Sequence, residues 1–175
     1  MNEAKHRIVN KRRKKYYEIK FDDTTKRYMQ FIGLDWNQLN SDTFRVYKKV
    51  YPIDATPSLE EILSDIPDFY VHSFASAGIK AGLWSLAYRC KNVGDTSSIK
   101  FKTDEEDMIP KEKRGEYCNR WSFWHYDERF DNMFIYEGKM PQEWKSAYLG
   151  YVCHPVNVLH RIIHGRFSFE PKYLE

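Results

Sequence analysis

The sequence predicts an α+β protein: a single globular domain with a small, mostly antiparallel sheet, several short packed helices and a basic N-terminal arm. Three observations lead there. Strand-like and helix-like runs are interspersed without the regular βαβ rhythm of a doubly wound parallel sheet. The 175 residues fit one domain, and a chain of this size buries roughly 70% of its unfolded surface without a disulfide or metal staple. The 13 Tyr, 11 Phe and 5 Trp give much burial per residue, and Tyr and Trp carry polar tips that tolerate a wet boundary.

Residues 1–15 are polar and form the expected arm, frayed or helical, with the globular domain spanning 16–175. Tyr16 to Phe21 reads as a short strand. Asp22-Asp23-Thr24 offers N-caps for a helix near 24–32, stopped by Gly33. A second helix is expected through Trp36, Leu39, Phe44, Val46, Tyr47 and Val50, ending before Pro52. The clearest local signal is Thr56-Pro57-Ser58-Leu59-Glu60-Glu61, with Thr as cap, Pro at the first helical position and acids in the first turn. Leu59, Ile62, Leu63 and Ile66 keep helical spacing up to Pro67.

Phe69 to Phe74 reads as a strand. Residues 75–93 fit either a buried strand or a buried helix, since periodicity does not separate the two. Ile99–Lys102 is expected to be a strand, 103–116 an exposed charged loop, and Tyr117–Tyr126 and Asn132–Tyr136 two further strands. Met140 onward opens a helix holding Trp144, Ala147 and Tyr148. Pro155 opens another, with Val158, Leu159, Ile162 and Ile163 closed by Gly165.

Charge is segregated. Residues 1–20 hold eight Lys or Arg against Glu3 and Glu18, a local +6, which leaves −3 on residues 21–175 out of the total +3. Lys11, Arg12, Arg13, Lys14 and Lys15 form a dense cationic run suited to phosphates or to an acidic protein surface. Cys90, Cys118 and Cys153 are odd in number and widely spread, which points to reduced thiols and a cytoplasmic setting. No secretory signal and no run of roughly 20 apolar residues is present, so no membrane is expected.

The segment Arg120 to Tyr126 is the densest in aromatic residues. As a strand it sends Trp121, Phe123 and His125 to one face and Ser122, Trp124 and Tyr126 to the other. The plain reading is a strand packed on both sides. The functional reading makes Arg120, Trp121, Trp124, Tyr126 and Arg129 a partner-binding surface, because interface hot spots are rich in Trp, Tyr and Arg. His160 and His164 stand four apart on one helix face, near Cys153 and His154. The glutamate of the H-E-x-x-H pattern is missing, so zinc-protease chemistry is excluded and no metal site is assigned. Cys118 and His125 point to opposite faces if they share a strand, and Gly78-x-x-x-Gly82 lacks P-loop spacing. No cofactor is expected.

No catalytic set emerges, so the sequence favours a non-enzymatic protein that acts by protein–protein contact, its basic arm touching nucleic acid. A composition rich in Lys, Asn, Ile, Tyr and Phe resembles small proteins of AT-rich genomes and phages, which suggests a regulator of host transcription or replication machinery. The alternatives are a nucleic-acid-binding protein, a structural component of a larger assembly, and a metal-dependent nuclease or hydrolase using Asp127, Asp131 or His125.

Overall fold

A computed structural model describes residues 15–36, 38–90, 93–104, 118–126 and 133–170. Its first turn already departs from expectation. The Asp22 carboxylate accepts from the backbone N–H and hydroxyl of Thr24 (2.7 and 2.8 Å) and from Thr25, which closes a hairpin and starts no helix. An aspartate that satisfies amides two and three residues on serves a turn as well as a helix cap. Strands β1 (Tyr16–Lys20) and β2 (Thr25–Asp35) flank it and pair antiparallel.

The two helices expected over 24–32 and 36–50 are therefore strands, β2 and β3 (Ser41–Tyr47). Both are buried on both faces, so their sequences carry no polar–apolar alternation that would mark them as strands. A register shift between Phe31 and Gly33 flips the side-chain parity of β2. Met29 and Phe31 before it, and Leu34 after it, thereby reach the same core.

The short helix α1 (Leu59–Leu63) forms as expected, two residues late. Ser58, not Thr56, is its cap, accepting from the Glu61 amide at 3.1 Å. Pro67 ends the connection and begins strand β5 (Pro67–Ser73). The ambiguous stretch resolves into both alternatives: helix α2 (Ala75–Lys80), then strand β6 (Trp84–Tyr88). A Cβ at Gly78 would lie 1.9 Å from the Trp84 ring, so only glycine lets the helix sit on that indole.

Two sheets result. The larger runs β5-β3-β2-β1-β6, all antiparallel, with the two-residue β4 (Tyr51–Pro52) beside β2. The smaller consists of β7 (Lys100–Asp104), β8 (Arg120–His125), β9 (Met133–Glu137) and the short β10 (Tyr148–Leu149), in the order β10-β7-β8-β9. Among the described residues helices are few: α1, α2, α3 (Pro155–His164) and one 3-10 turn, Gln142–Trp144, in place of the longer helix expected after Met140. Helix α3 matches its signals, with Pro155 at its start and Gly165 at φ 74° closing it.

The segment 148–153 stitches the sheets together. The Gly150 amide donates to Lys102 O on β7 and the Cys153 amide to His72 O on β5, both at 2.8 Å. One face of the large sheet packs Met29, Phe31, Phe44, Val46 and Val71 against Val158 and Ile162 of α3. Its other face meets α1 through Ile62 and the small sheet through Ile32 and Tyr70, which pack with Phe101, Trp124 and Tyr126. At that junction Asp35 Oδ2 accepts from His72 Nε2 (2.9 Å) and Trp124 Nε1 (3.1 Å), tying β2, β5 and β8 by one buried carboxylate.

Candidate functional site

Strand β8 has the alternation expected of it, but from Trp121 to Trp124 both faces are buried, and exposure returns only at His125 at its end. Trp121 and Phe123 pack with Trp144 and Ala147, while Trp124 and Tyr126 pack with Phe101 and Tyr70. Phe123 stacks on Trp144 at 4.8 Å between centroids, and Trp124 on Phe101 at 5.7 Å. A Cβ on Gly150 would lie 2.0 Å from the Trp124 ring, so the indole rests directly on that backbone. The contact surface read into Trp121, Trp124 and Tyr126 is thus corrected: each is at most 3% exposed, because two layers cover the strand. Arg120 is half-buried and ion-paired with Glu137 at 3.2 Å. Arg129 and the run Lys11, Arg12, Arg13 and Lys14 lie outside the described residues. Lys15 is half-buried, and its carbonyl accepts from the Phe31 amide.

The neighbouring strand is the opposite case. Met133, Phe134, Ile135 and Tyr136 are exposed to 45, 43, 50 and 38%, four consecutive large apolar residues on β9. The strand ends the small sheet, paired with β8 alone among the described residues. The ladder's parity gives the direction of its backbone. Gly138 donates to Asn119 O at 2.6 Å, so the 119/138 pair is hydrogen-bonded, and with it 121/136 and 123/134. The N–H and C=O groups of Met133, Ile135 and Glu137 therefore point away from β8. An edge of this kind is a template for another strand, and proteins commonly blunt it with charge, proline or a bulge. Within β9 only Glu137, at its end, carries charge. The far edge of the large sheet, β6, exposes a single large apolar residue, Leu86.

The ionisable groups of the interior are sealed. His72 is fully buried and Asp35 is 1% exposed, which bars a substrate from that pair in this conformation. Arg45 is held by Tyr70 Oη, Gln30 Oε1 and the carbonyls of Val93 and Asp95, where it anchors the 93–95 segment to the sheet. Lys102 donates to Lys145 O at 2.6 Å, and burial lowers its pKa from the ordinary lysine value. Tyr151 donates to Asp104, and burial followed by that bond raises the phenol's pKa. Burial pushes the Cys153 thiol up to about 12, the reverse of what a nucleophilic cysteine needs. Cys118 donates instead to Arg120 O, and His125 is exposed with its ring against the edge of Trp144.

Among the described residues no three His, Cys, Asp or Glu side chains gather to hold a metal ion. Of the residues weighed for a nuclease or hydrolase, His125 is described, and Asp127 and Asp131 fall outside the described residues. His160 and His164 do come together on α3, with ring centroids 4.4 Å apart. Cys90, Cys118 and Cys153 form no disulfide, and among the described residues no helix is long and apolar enough to cross a membrane.

Compared with protein-family models, curated proteins and solved structures, the chain finds no match in any of the three. Its geometry alone carries the functional reading.

Sequence reasoning read residues 132–136 as a strand but gave it no role. A continuous apolar run is the signature of a strand buried on both sides, and nothing within the run tells that this one lies at an edge.

Proposed function

We propose that this is a binding protein that acts by protein–protein contact, and that the contact runs along β9. The single observation that carries this is the exposure of Met133, Phe134, Ile135 and Tyr136 on the outermost strand of the small sheet. The partner is a protein offering an extended segment with apolar side chains, which adds a strand through the outward backbone groups of Met133, Ile135 and Glu137. In this mode main-chain hydrogen bonds supply affinity and alternate side chains supply selectivity. That Cys90, Cys118 and Cys153 form no disulfide favours a reducing, intracellular setting for this activity.

Ile135→Pro tests the reading. It removes an outward donor and keeps the amides of Phe134 and Tyr136 that face β8, a position where edge strands tolerate proline. In a pull-down from the native host, wild-type protein and the surface control Ile163→Lys retain a partner that Ile135→Pro, folded by circular dichroism, loses. A pure wild-type dimer that Ile135→Pro abolishes in sedimentation identifies the strand's donor as a second copy. Equal capture by Ile135→Pro and wild type refutes the proposal.

The run Lys11 to Lys15 supports an accessory contact with nucleic acid, which the same protein tests by salt titration. Each duplex phosphate neutralised contributes a log–log slope of about −0.9, so full engagement of the arm gives a slope of several units. A flat salt response removes the nucleic-acid contact and leaves the β9 reading standing.

A further inference from the structure

We propose that His160 and His164 form a two-histidine chelate at the C-terminal end of α3 for a borderline divalent transition-metal ion such as Zn²⁺ or Cu²⁺. The spacing places both imidazoles on one helix face, and their ring centroids are 4.4 Å apart, close enough for one ion to bridge them. The second observation concerns the proton of His160. Its Nδ1 lies 2.9 Å from the carbonyl oxygen of Arg166, just beyond the helix. A carbonyl only accepts, so Nδ1 carries the hydrogen in this bond, and in the neutral ring Nε2 is left with the lone pair. A backbone carbonyl receiving the other ring N–H is the usual outer partner of a metal-bound histidine, fixing both tautomer and ring orientation. Here that partner is built by the turn at Gly165, whose φ of 74° carries the chain back past the helix end.

The charges around the pair are mixed. Arg161 is engaged elsewhere, 3.6 Å from Glu170 and over the rings of Phe69 and Phe167. Arg166 Nη2 donates to the Glu170 carbonyl at 3.4 Å. The helix end itself favours a cation, since the carbonyl dipoles of the last turn point toward it. Two imidazoles leave the other coordination positions to water or to a group brought by a ligand or partner, the open arrangement of a site that exchanges its ligands. Imidazole nitrogen suits zinc and copper, and copper is held more tightly by such donors.

The test uses the full chain, with Zn²⁺ in calorimetric titration and Cu²⁺ in electron paramagnetic resonance. His160→Ala and His164→Ala are the test variants. His154→Asn, at the exposed N-cap of the same helix, is the control, chosen because asparagine also caps. Wild type and His154→Asn bind one Zn²⁺ at this site, and the Cu²⁺ spectrum shows two equatorial imidazole nitrogens. Each test variant, folded by circular dichroism, weakens Zn²⁺ binding by about tenfold or more, the scale on which even an outer partner of a ligating histidine acts. Loss in only one of the two variants, or in neither, overturns the chelate. So does a wild-type affinity no higher than that of the double variant.

Discussion

Strands β8 and β9 are partners in one hairpin ladder, and both are rich in large apolar residues, yet they have opposite fates. β8 carries Trp121, Phe123 and Trp124, each at most 3% exposed, whereas β9 carries Met133 to Tyr136, each exposed by more than a third. Composition does not separate them. Position does: β8 is flanked by β7 and β9 and covered on both faces, by the 3-10 turn with Trp144 and by the Tyr70–Phe101 layer. An aromatic run is therefore weak ground for a binding surface until its place in the sheet is known, and here the exposed apolar strand lies one strand over.

The contrast predicts a steep difference in what substitution costs. Trp124→Ala empties a site closed by Phe101, Gly150 and Asp35, and removes the indole donor to the carboxylate. Its expected loss is about 3–5 kcal/mol in chemical denaturation, against a change within about 0.5 kcal/mol for Ile135→Ala. Comparable losses at the two positions would break the comparison. Gly150→Ala comes next. The added methyl meets the Trp124 ring at 2.0 Å and must displace it, an overpacking cost of about 1–3 kcal/mol read as a lowered denaturation midpoint.

Lys102, paired with Phe123 across the β7–β8 ladder, sharpens the comparison through pH. Burial lowers its pKa in the folded chain, while the unfolded chain keeps the ordinary value of 10.5. Between the two values the unfolded state binds more protons, so the cost of burying the charge is fully present below the folded value and fades as pH rises toward 10.5. The stability of Lys102→Met relative to wild type is thus expected to be most favourable below the folded value and to decline as pH rises through it toward 10.5. A difference independent of pH would mean that the ammonium is not desolvated there.

Much of the fold was legible, and the failures share a cause. Helix α3 was readable because Pro155, the buried Val158 and Ile162, and Gly165 are local signals that tertiary packing did not override. The two faces of β8 were readable because alternation belongs to any strand. The strands β2 and β3 were not: Asp22 satisfies turn amides with the chemistry it would use on a helix, and strands buried on both sides lack a two-residue period. The β9 surface was illegible for a complementary reason. Whether Met133 to Tyr136 faces protein or water depends on strand order, which is set by pairings far along the chain. The His160–His164 pair was visible as a spacing, but the carbonyl of Arg166 that fixes the His160 tautomer follows from the turn at Gly165.

The most direct measurement is residue-resolved amide hydrogen exchange across β9, on the free protein and on its complex with the captured partner. In the free protein the Phe134 and Tyr136 amides, bonded to β8, exchange slowly, and those of Met133, Ile135 and Glu137 exchange fast. In the complex those three outward amides become protected as a set. Outward amides that exchange equally fast with and without the partner would contradict strand addition at this edge.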